Sequence, residues 1–217
     1  MKLKHIQIQT NNIQNTINFY QDILELPIIE KSENSVTIQA GNSVLEFIEN
    51  LKFDSIYHFA FNIPENKLDE AINWCKSKVD LIFIEDKKVI TNFENWNAKA
   101  IYFYDNNGNL LEFIARHDLN NAQTSAFSSK AILNISEIGI VNENPLELGN
   151  QLIEKHGFEF FRKNANSEFF AAIGDDEGLL IMVQPGRNWY PTQTPSESNK
   201  TEVKIENNGT EIELSFS

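Results

Sequence analysis

Residues 3–10, Leu-Lys-His-Ile-Gln-Ile-Gln-Thr, alternate with the two-residue period of a strand, setting Lys4, Ile6 and Ile8 on one face and His5, Gln7 and Gln9 on the other. The period then changes. Asn11 and Asn12 offer cap side chains, and Ile13, Ile17, Tyr20 and Leu24 recur at helical spacing until Pro27 ends the run. Strand-like stretches at 28–31 and 35–40 follow, and the Gly41-Asn42 turn leads into Val44-Leu45-Glu46-Phe47-Ile48. The order is βαβββ.

The same order begins again at Tyr57-His58-Phe59-Ala60-Phe61-Asn62-Ile63, where Phe59, Phe61 and Ile63 oppose His58, Ala60 and Asn62. Pro64 opens a second helix striped by Leu68, Ala71, Ile72 and Cys75, a strand is predicted at 81–85, and 100–104 leads through Asp105-Asn106-Asn107-Gly108 into Leu110-Leu111-Glu112-Phe113-Ile114. His58 follows His5 by 53 residues and Glu112 follows Glu46 by 66, so the second copy is 13 residues longer. The insertion is expected near 85–97, where Phe93, Trp96 and Asn97 either cover a cavity or anchor the loop in the core. A third, diverged copy runs through strands at 135–141, 168–173 and 178–184 and a helix at 145–156. In it Glu137 stands in the place of His5 and Ile181 in the place of Glu46, so this copy reads as having lost its ligands. A polar loop at 191–200 precedes two closing strands at 201–216, turned at Asn207-Asn208-Gly209. The expected organisation is α+β: modules 1–52 and 53–118 forming one paired domain, a linker at 119–130, and a diverged third module at 131–217.

Composition narrows the partners. With 18 Lys and Arg against 31 Asp and Glu in 217 residues, the net charge of -13 argues against nonspecific binding to nucleic acid or anionic membranes. The chain has neither a basic start followed by an apolar run nor an apolar stretch of bilayer length, so a cytoplasmic location is expected. The single cysteine, Cys75, rules out an internal disulfide and reads as a buried thiol in a helical stripe.

The chemistry lies in the repeated word Leu-Glu-Phe-Ile, at 45–48 and 111–114. Each copy aims a carboxylate, Glu46 or Glu112, into an apolar setting, where it must be paired, protonated or coordinated. His5 and His58 occupy equivalent first-strand positions, and a pseudo-twofold arrangement of the two copies would bring all four together. Imidazole and carboxylate donors suit Zn, Ni, Fe or Mn, whereas Ca and Mg prefer oxygen alone. His5, His58 and Glu112 without Glu46 would make a two-histidine, one-carboxylate set with open positions; Glu46 would then be an outer hydrogen-bond acceptor. Arg116, on the face of Glu112, meets either an anionic substrate or a carboxylate partner. Tyr104 and Trp96 are further candidates for substrate contact, and Tyr102, Tyr104 and His117 for a group beside open metal positions. His117 and His156 otherwise read as surface residues, and Trp189-Tyr190 as a packed turn.

Lys-His-Ile-Gln-Ile-Gln-Thr with Phe19-Tyr20, Tyr-His-Phe-Ala-Phe-Asn-Ile-Pro, and Ile-Tyr-Phe-Tyr-Asp-Asn-Asn-Gly-Asn-Leu-Leu-Glu-Phe-Ile together resemble the vicinal oxygen chelate superfamily of glyoxalase I, extradiol dioxygenases, fosfomycin-resistance enzymes and bleomycin-binding proteins. The resemblance covers residues 3–116. It implies paired βαβββ modules curled into a cupped mixed sheet around a divalent metal held by His5, His58 and Glu112, with Glu46 matching an additional acid of glyoxalase-like members. It further implies a metal-dependent enzyme on a small substrate chelated through vicinal oxygens, with Glu46 or Glu112 as the catalytic base of a lyase or isomerase. An extradiol dioxygenase is the alternative, and a non-catalytic antibiotic-binding protein a second one. The modules either pair within the chain or exchange between the subunits of a homodimer.

Overall fold

The computed structural model describes residues 1–85 and 87–217; position 86, inside the predicted insertion, lies outside the described residues. The first unit is β1 (Lys2–Thr10), α1 (Ile13–Ile17, continued by a π-helical turn at Asn18–Ile23), β2 (Ile28–Lys31), β3 (Ser35–Ala40) and β4 (Ser43–Glu49). The second is β5 (His58–Ile63), α2 (Leu68–Cys75), β6 (Thr91–Phe93), β7 (Ala98–Tyr104) and β8 (Leu110–Arg116). The third is β9 (Asn134–Val141), α3 (Pro145–His156), β10 (Phe170–Asp175) and β11 (Gly178–Val183), and β12 (Thr201–Asn207) with β13 (Thr210–Phe216) closes the chain as a hairpin. This is an α+β fold on one mixed sheet. No helix among the described residues is long and apolar enough to cross a membrane.

Local chemistry explains the boundaries. The Asn12 side chain accepts from the Asn15 N–H at 2.9 Å and opens α1. Gly157, at φ 68°, closes α3 in the left-handed conformation that glycine adopts at least cost. The predicted strand at 81–85 is irregular instead. The edge of β7 that it would pair is taken over Ala98–Ala100 by β6, leaving only Leu81 opposite Phe103 and the Ile82 N–H on the Tyr102 carbonyl at 2.8 Å. The linker is packed, with Phe127 buried 5.7 Å from the ring of Trp74 and its N–H on Glu70. Burial pushes the Cys75 thiol up to about 12, as an inert core residue requires.

In each unit the first strand runs parallel to the last with one offset: His5 faces Val44, His58 faces Leu110 and Glu137 faces Leu179, each two residues before Glu46, Glu112 and Ile181. The three units therefore share a register. The pairing between units departs from the expected one. β5 runs antiparallel to β9, so the second unit joins the third, while β1 runs antiparallel to β12 and takes the closing hairpin. β9 stands between β1 and β5, touching β1 through Leu3 and Ile135. Burial gives the reason: every residue of β5 and all but Val141 of β9 are buried, so both need cover on two faces and a central place, whereas β1 alternates buried with half-exposed positions. Helices α1, α2 and α3 cover the face built from Ile6, Phe47, Phe59, Phe61 and Phe113. The opposite, cupped face of the second and third units carries Ala60, Ala98, Ala100 and Ala172, small side chains that leave room above the sheet.

A buried turn locks the first unit to the second. The Asp105 carboxylate accepts from the Tyr20 hydroxyl at 2.8 Å, the Asn109 side chain at 2.8 Å, and the N–H groups of Asn107 and Asn109 at 2.8 and 2.9 Å. Burial raises its pKa against the pull of these donors. Asp105→Ala, which leaves four neutral donors without their acceptor, should cost about 3 kcal/mol, and Tyr20→Phe about 1.5 kcal/mol. Urea unfolding checks both, the midpoints falling at unchanged slope; equal small losses would show that the turn is solvated.

Candidate metal centre

His58 stands at the start of β5 and Glu112 in the middle of β8, opposite Ala60. The β5–β9 register shifts between Ala60 and Phe61, so that Ala60 faces Glu137 and Phe61 faces Ile135, leaving Ser136 as the extra residue of a bulge. Both Ser136 and Glu137 consequently reach Arg116, at the end of β8. The ligand atoms of His58, Glu112 and Glu137 lie within 4.8 Å of one another. The three residues are 6%, 2% and 3% exposed.

Hydrogen bonding settles the tautomer of His58. Its Nδ1 lies 3.1 Å from the Leu110 carbonyl, which can only accept, so Nδ1 carries the proton and Nε2 keeps its lone pair. Desolvation holds the ring neutral, lowering its pKa to about 4 against the opposing hydrogen bond. The Nε2 lone pair looks at Glu112 Oε2 from 3.8 Å, and the buried Glu112 Oε1 has no hydrogen-bond partner. Two acceptor atoms thus face each other across the site. Burial, then the charge of Glu137, push the Glu112 carboxyl well above its ordinary range, opposed by Arg116 and the Tyr102 hydroxyl. Burial also raises Glu137, which Arg116 pulls back.

Arg116 is fully buried. Its Nη2 pairs with Glu137, its Nε donates to Ser136 Oγ at 3.2 Å, and its Nη1 reaches Asp176 at 3.5 Å. The guanidinium also lies 5.4 Å from the ring of Trp96. It is thereby committed to the carboxylate it supports instead of standing open to a substrate. One imidazole nitrogen and two carboxylates, with an orphaned oxygen and an unpaired lone pair, fit a divalent first-row transition metal. The carbonyl bonded to Nδ1 and the guanidinium bonded to Glu137 are the outer contacts that orient such ligands.

A cavity of about 250 Å³ opens over the three, walled by Phe93, Trp96, Tyr102, Phe170, Trp189 and Tyr190. Trp96 and Phe93, from the insertion, are stacked at 5.5 Å, so the insertion both anchors itself and covers the site. Trp189 lies 5.1 Å from the His58 ring, over Gly139, where a Cβ would come within 2.5 Å of the indole. The predicted packed turn is therefore part of the wall. Tyr104, at the far end of β7, is 40% exposed and outside the lining.

His5 and Glu46 do not join this group. They sit together in the first unit's cup, where Nε2 lies 3.0 Å from Glu46 Oε2 without hydrogen-bond alignment and the Gln7 amide donates to the same oxygen at 2.9 Å. Lys204 of β12 stands opposite His5 and pairs with Glu213 at 2.9 Å. The expected convergence of four ligands fails because β9, not β1, is the neighbour of β5. Glu137 takes the place thought lost from the third unit. Its alignment with His5 is the available signal, since a carboxylate can donate to the same metals as an imidazole.

Two outcomes follow from these charges. Arg116→Leu should destabilise by ~3–5 kcal/mol, with most of the loss recovered in Arg116→Leu/Glu137→Leu, as a denaturant double-mutant cycle would read. The second concerns acid. The unfolded chain protonates His58 near 6.5 and the folded chain only near 4, so stability falls as pH drops through that window, by up to roughly 3 kcal/mol at ~1.36 kcal/mol per pH unit. Glu112 runs the other way, because its raised pKa makes the folded form the better proton binder. Subtracting the His58→Gln profile from wild type, both in chelator, isolates the histidine; a difference independent of pH would mean a solvated ring.

The family profile of the Glyoxalase/Bleomycin resistance protein/Dioxygenase superfamily matches residues 2–113. Metallothiol transferase FosB of Staphylococcus haemolyticus (strain JCSC1435) is 31% identical over 118 residues, spanning 51% of this chain and 80% of that protein. The Staphylococcus epidermidis FosB is 30% identical over 118 residues, with the same shares covered. A provisionally assigned dioxygenase from Bacillus subtilis subsp. subtilis str. 168 has the same overall fold, with a TM-score of 0.64 at 14% identity over 99% of this chain and 84% of that one. With its repeated βαβββ units and a profile match over half its length, the chain belongs to the glyoxalase/bleomycin resistance/dioxygenase superfamily.

Proposed function

We propose that the chain is a metal-dependent enzyme that holds a divalent cation on His58, Glu112 and Glu137 and acts on a small substrate bound through two neighbouring oxygens. The observation that carries this reading is the His58 Nε2 lone pair facing a buried Glu112 whose Oε1 has no partner, on the floor of a cavity. Charge supports it as well. With both carboxylates ionised, one guanidinium leaves a net negative floor that a divalent cation reverses, and such a cation favours that ionised form. The bound cation would supply a Lewis acid for the two oxygens.

The chain's own residues do the rest. Arg116 fixes the Glu137 carboxylate from behind, and the Leu110 carbonyl fixes the ring of His58. The walls of Trp96, Tyr102 and Trp189 exclude water and so strengthen every charge interaction inside. Glu112, with one oxygen free of hydrogen bonds, is the group suited to take a proton from carbon beside a chelated carbonyl, which is the lyase or isomerase reading. The FosB relatives, named metallothiol transferases, support metal dependence and leave the reaction open. An extradiol dioxygenase is the second reading, favoured by a set of three donors without Glu46. A homodimer is not needed to complete this cup, because β5 and β9 belong to one chain.

Metal titration separates the two possible ligand sets. Wild type, freed of metal and titrated with Zn, Mn or Fe(II), should take up one equivalent. His58→Ala, Glu112→Gln and Glu137→Gln should each weaken uptake by tenfold or more, while His5→Ala and Glu46→Gln leave it within twofold. Loss of metal in His5→Ala with retention in Glu137→Gln would sink the assignment.

A further inference from the structure

Arg116 has two acids within reach and serves one of them. Glu137 lies in direct contact with Nη2, whereas Asp176 stands 3.5 Å from Nη1. A guanidinium pairs best with a single carboxylate, so two acids at its edge compete for it. A second cation decides between them. Lys163, in the loop after α3, donates to Asp176 Oδ2 and to Asp118 Oδ2 at 2.6 Å each, and reaches the Trp96 carbonyl at 3.4 Å.

Asp176 is held where it can compete, because the backbone of its turn is pinned. The Asp176 carbonyl accepts from the buried Asn62 amide at 3.0 Å and the Glu177 carbonyl from the Asn134 amide at 2.7 Å, while Asp175 Oδ1 takes the Glu177 N–H at 2.9 Å. Gly174, at φ 117°, lets the turn close: a Cβ there would come within 2.1 Å of the Gly178 carbonyl oxygen. With one oxygen held by Lys163, Asp176 has its charge answered and leaves the guanidinium to Glu137. Without Lys163, it would be a largely buried acid whose remaining ion-pair partner among the described residues is Arg116.

Resting on the metal-site reading above, we propose that Lys163 is a positioning residue of the metal centre: by holding Asp176 it keeps Arg116 on Glu137, and so keeps Glu137 beside His58 and Glu112. Lys163 touches neither the cation nor a substrate. Its loss draws Arg116 toward Asp176, and Glu137 loses the contact that orients it. Lys163 also steadies the cavity wall through Asp118 and Trp96, and a second substitution separates that role from the first. The side chain is 25% exposed, so a methionine can lie where the lysine stem lies.

Zinc is titrated into metal-free full-length protein against a colorimetric chelator. Lys163→Met should weaken uptake at least tenfold. Lys163→Met/Asp176→Asn, which removes the competing charge without restoring any contact of Lys163, should return uptake to within threefold of wild type, and Lys163→Arg should stay within the same range. A second arm reads Arg116 itself by heteronuclear NMR of the metal-free protein. Its Nε–H, which donates to Ser136, should exchange with water at least tenfold faster in Lys163→Met and return to within threefold in the double variant. Where wild type binds no zinc, that recovery supports the division of the two acids by Lys163, and the metal-site reading alone falls. Undiminished uptake in Lys163→Met, a loss that the double variant keeps, or Arg116 exchange that Lys163→Met does not raise overturns the inference, and overturns it alone where wild type takes up one equivalent.

Discussion

Two carboxylates and an imidazole buried in one apolar face demand compensation, and in this chain the fully buried guanidinium of Arg116 supplies it. Much of the second cup follows from that constraint. The bulge at Ser136 brings a hydroxyl and a carboxylate to one guanidinium. Asp176, from the turn between β10 and β11, reaches the same group and is itself tied to Lys163 at 2.6 Å. Arg116 thereby links two strands, β8 and β9, and a turn from two units of the repeat. A buried pair of this kind contributes little net stability against a well-packed apolar alternative, yet breaking it is costly. Its value lies in keeping Glu137 where His58 and Glu112 can use it.

The two cups show what the same register yields under different burial. His5 and Glu46 stand in the first cup as His58 and Glu112 stand in the second, by an identical strand offset. In the first, the facing strand contributes the ammonium of Lys204, and a cation of the chain's own stands opposite His5. In the second, the facing strand contributes the acid Glu137, which pairs with the buried Arg116. The facing strand of the first cup carries an acid at the register of Glu137 as well, Glu202 opposite Gln7, so what separates the cups is burial: His5 and Glu46 are partly exposed, whereas His58, Glu112 and Glu137 are buried.

The repeat was legible in the sequence because alternation is local. Residues 3–10 and 57–63, the helix at 145–156 and the hairpin about Asn208-Gly209 all stand where their periods and turn residues put them. The pairing of units was not legible, since it depends on which strands must be covered on both faces, and a run such as Tyr-His-Phe-Ala-Phe-Asn-Ile carries no mark of its neighbour. The word Leu-Glu-Phe-Ile pointed to two similar acids and so to a site made from two similar copies. Burial joined the second copy to the dissimilar third instead. Glu137 stands at the register of His5 with a different side chain, and a donor hidden by such a change is hard to read in a repeat, although carboxylate and imidazole are both donors to the same metals. The stretch at 81–85 misled for another reason, since apolar content alone cannot tell an edge already taken from one still free.

Ile181 completes the argument about the cup. By offset it holds the place that Glu46 and Glu112 hold in their units, and it lines the cavity with an apolar side chain. A fourth acid there would add negative charge to a floor on which only one of two carboxylates is matched by a guanidinium, and it would compete with a ligand's oxygens for any cation present. An isoleucine leaves three protein donors on one side and an apolar wall on the other. Loss of symmetry between the second and third units is therefore no sign of a decayed site: the third unit gives one donor, Glu137, and with Ile181 withholds the other, and that asymmetry turns one side of the buried charge cluster toward the cavity.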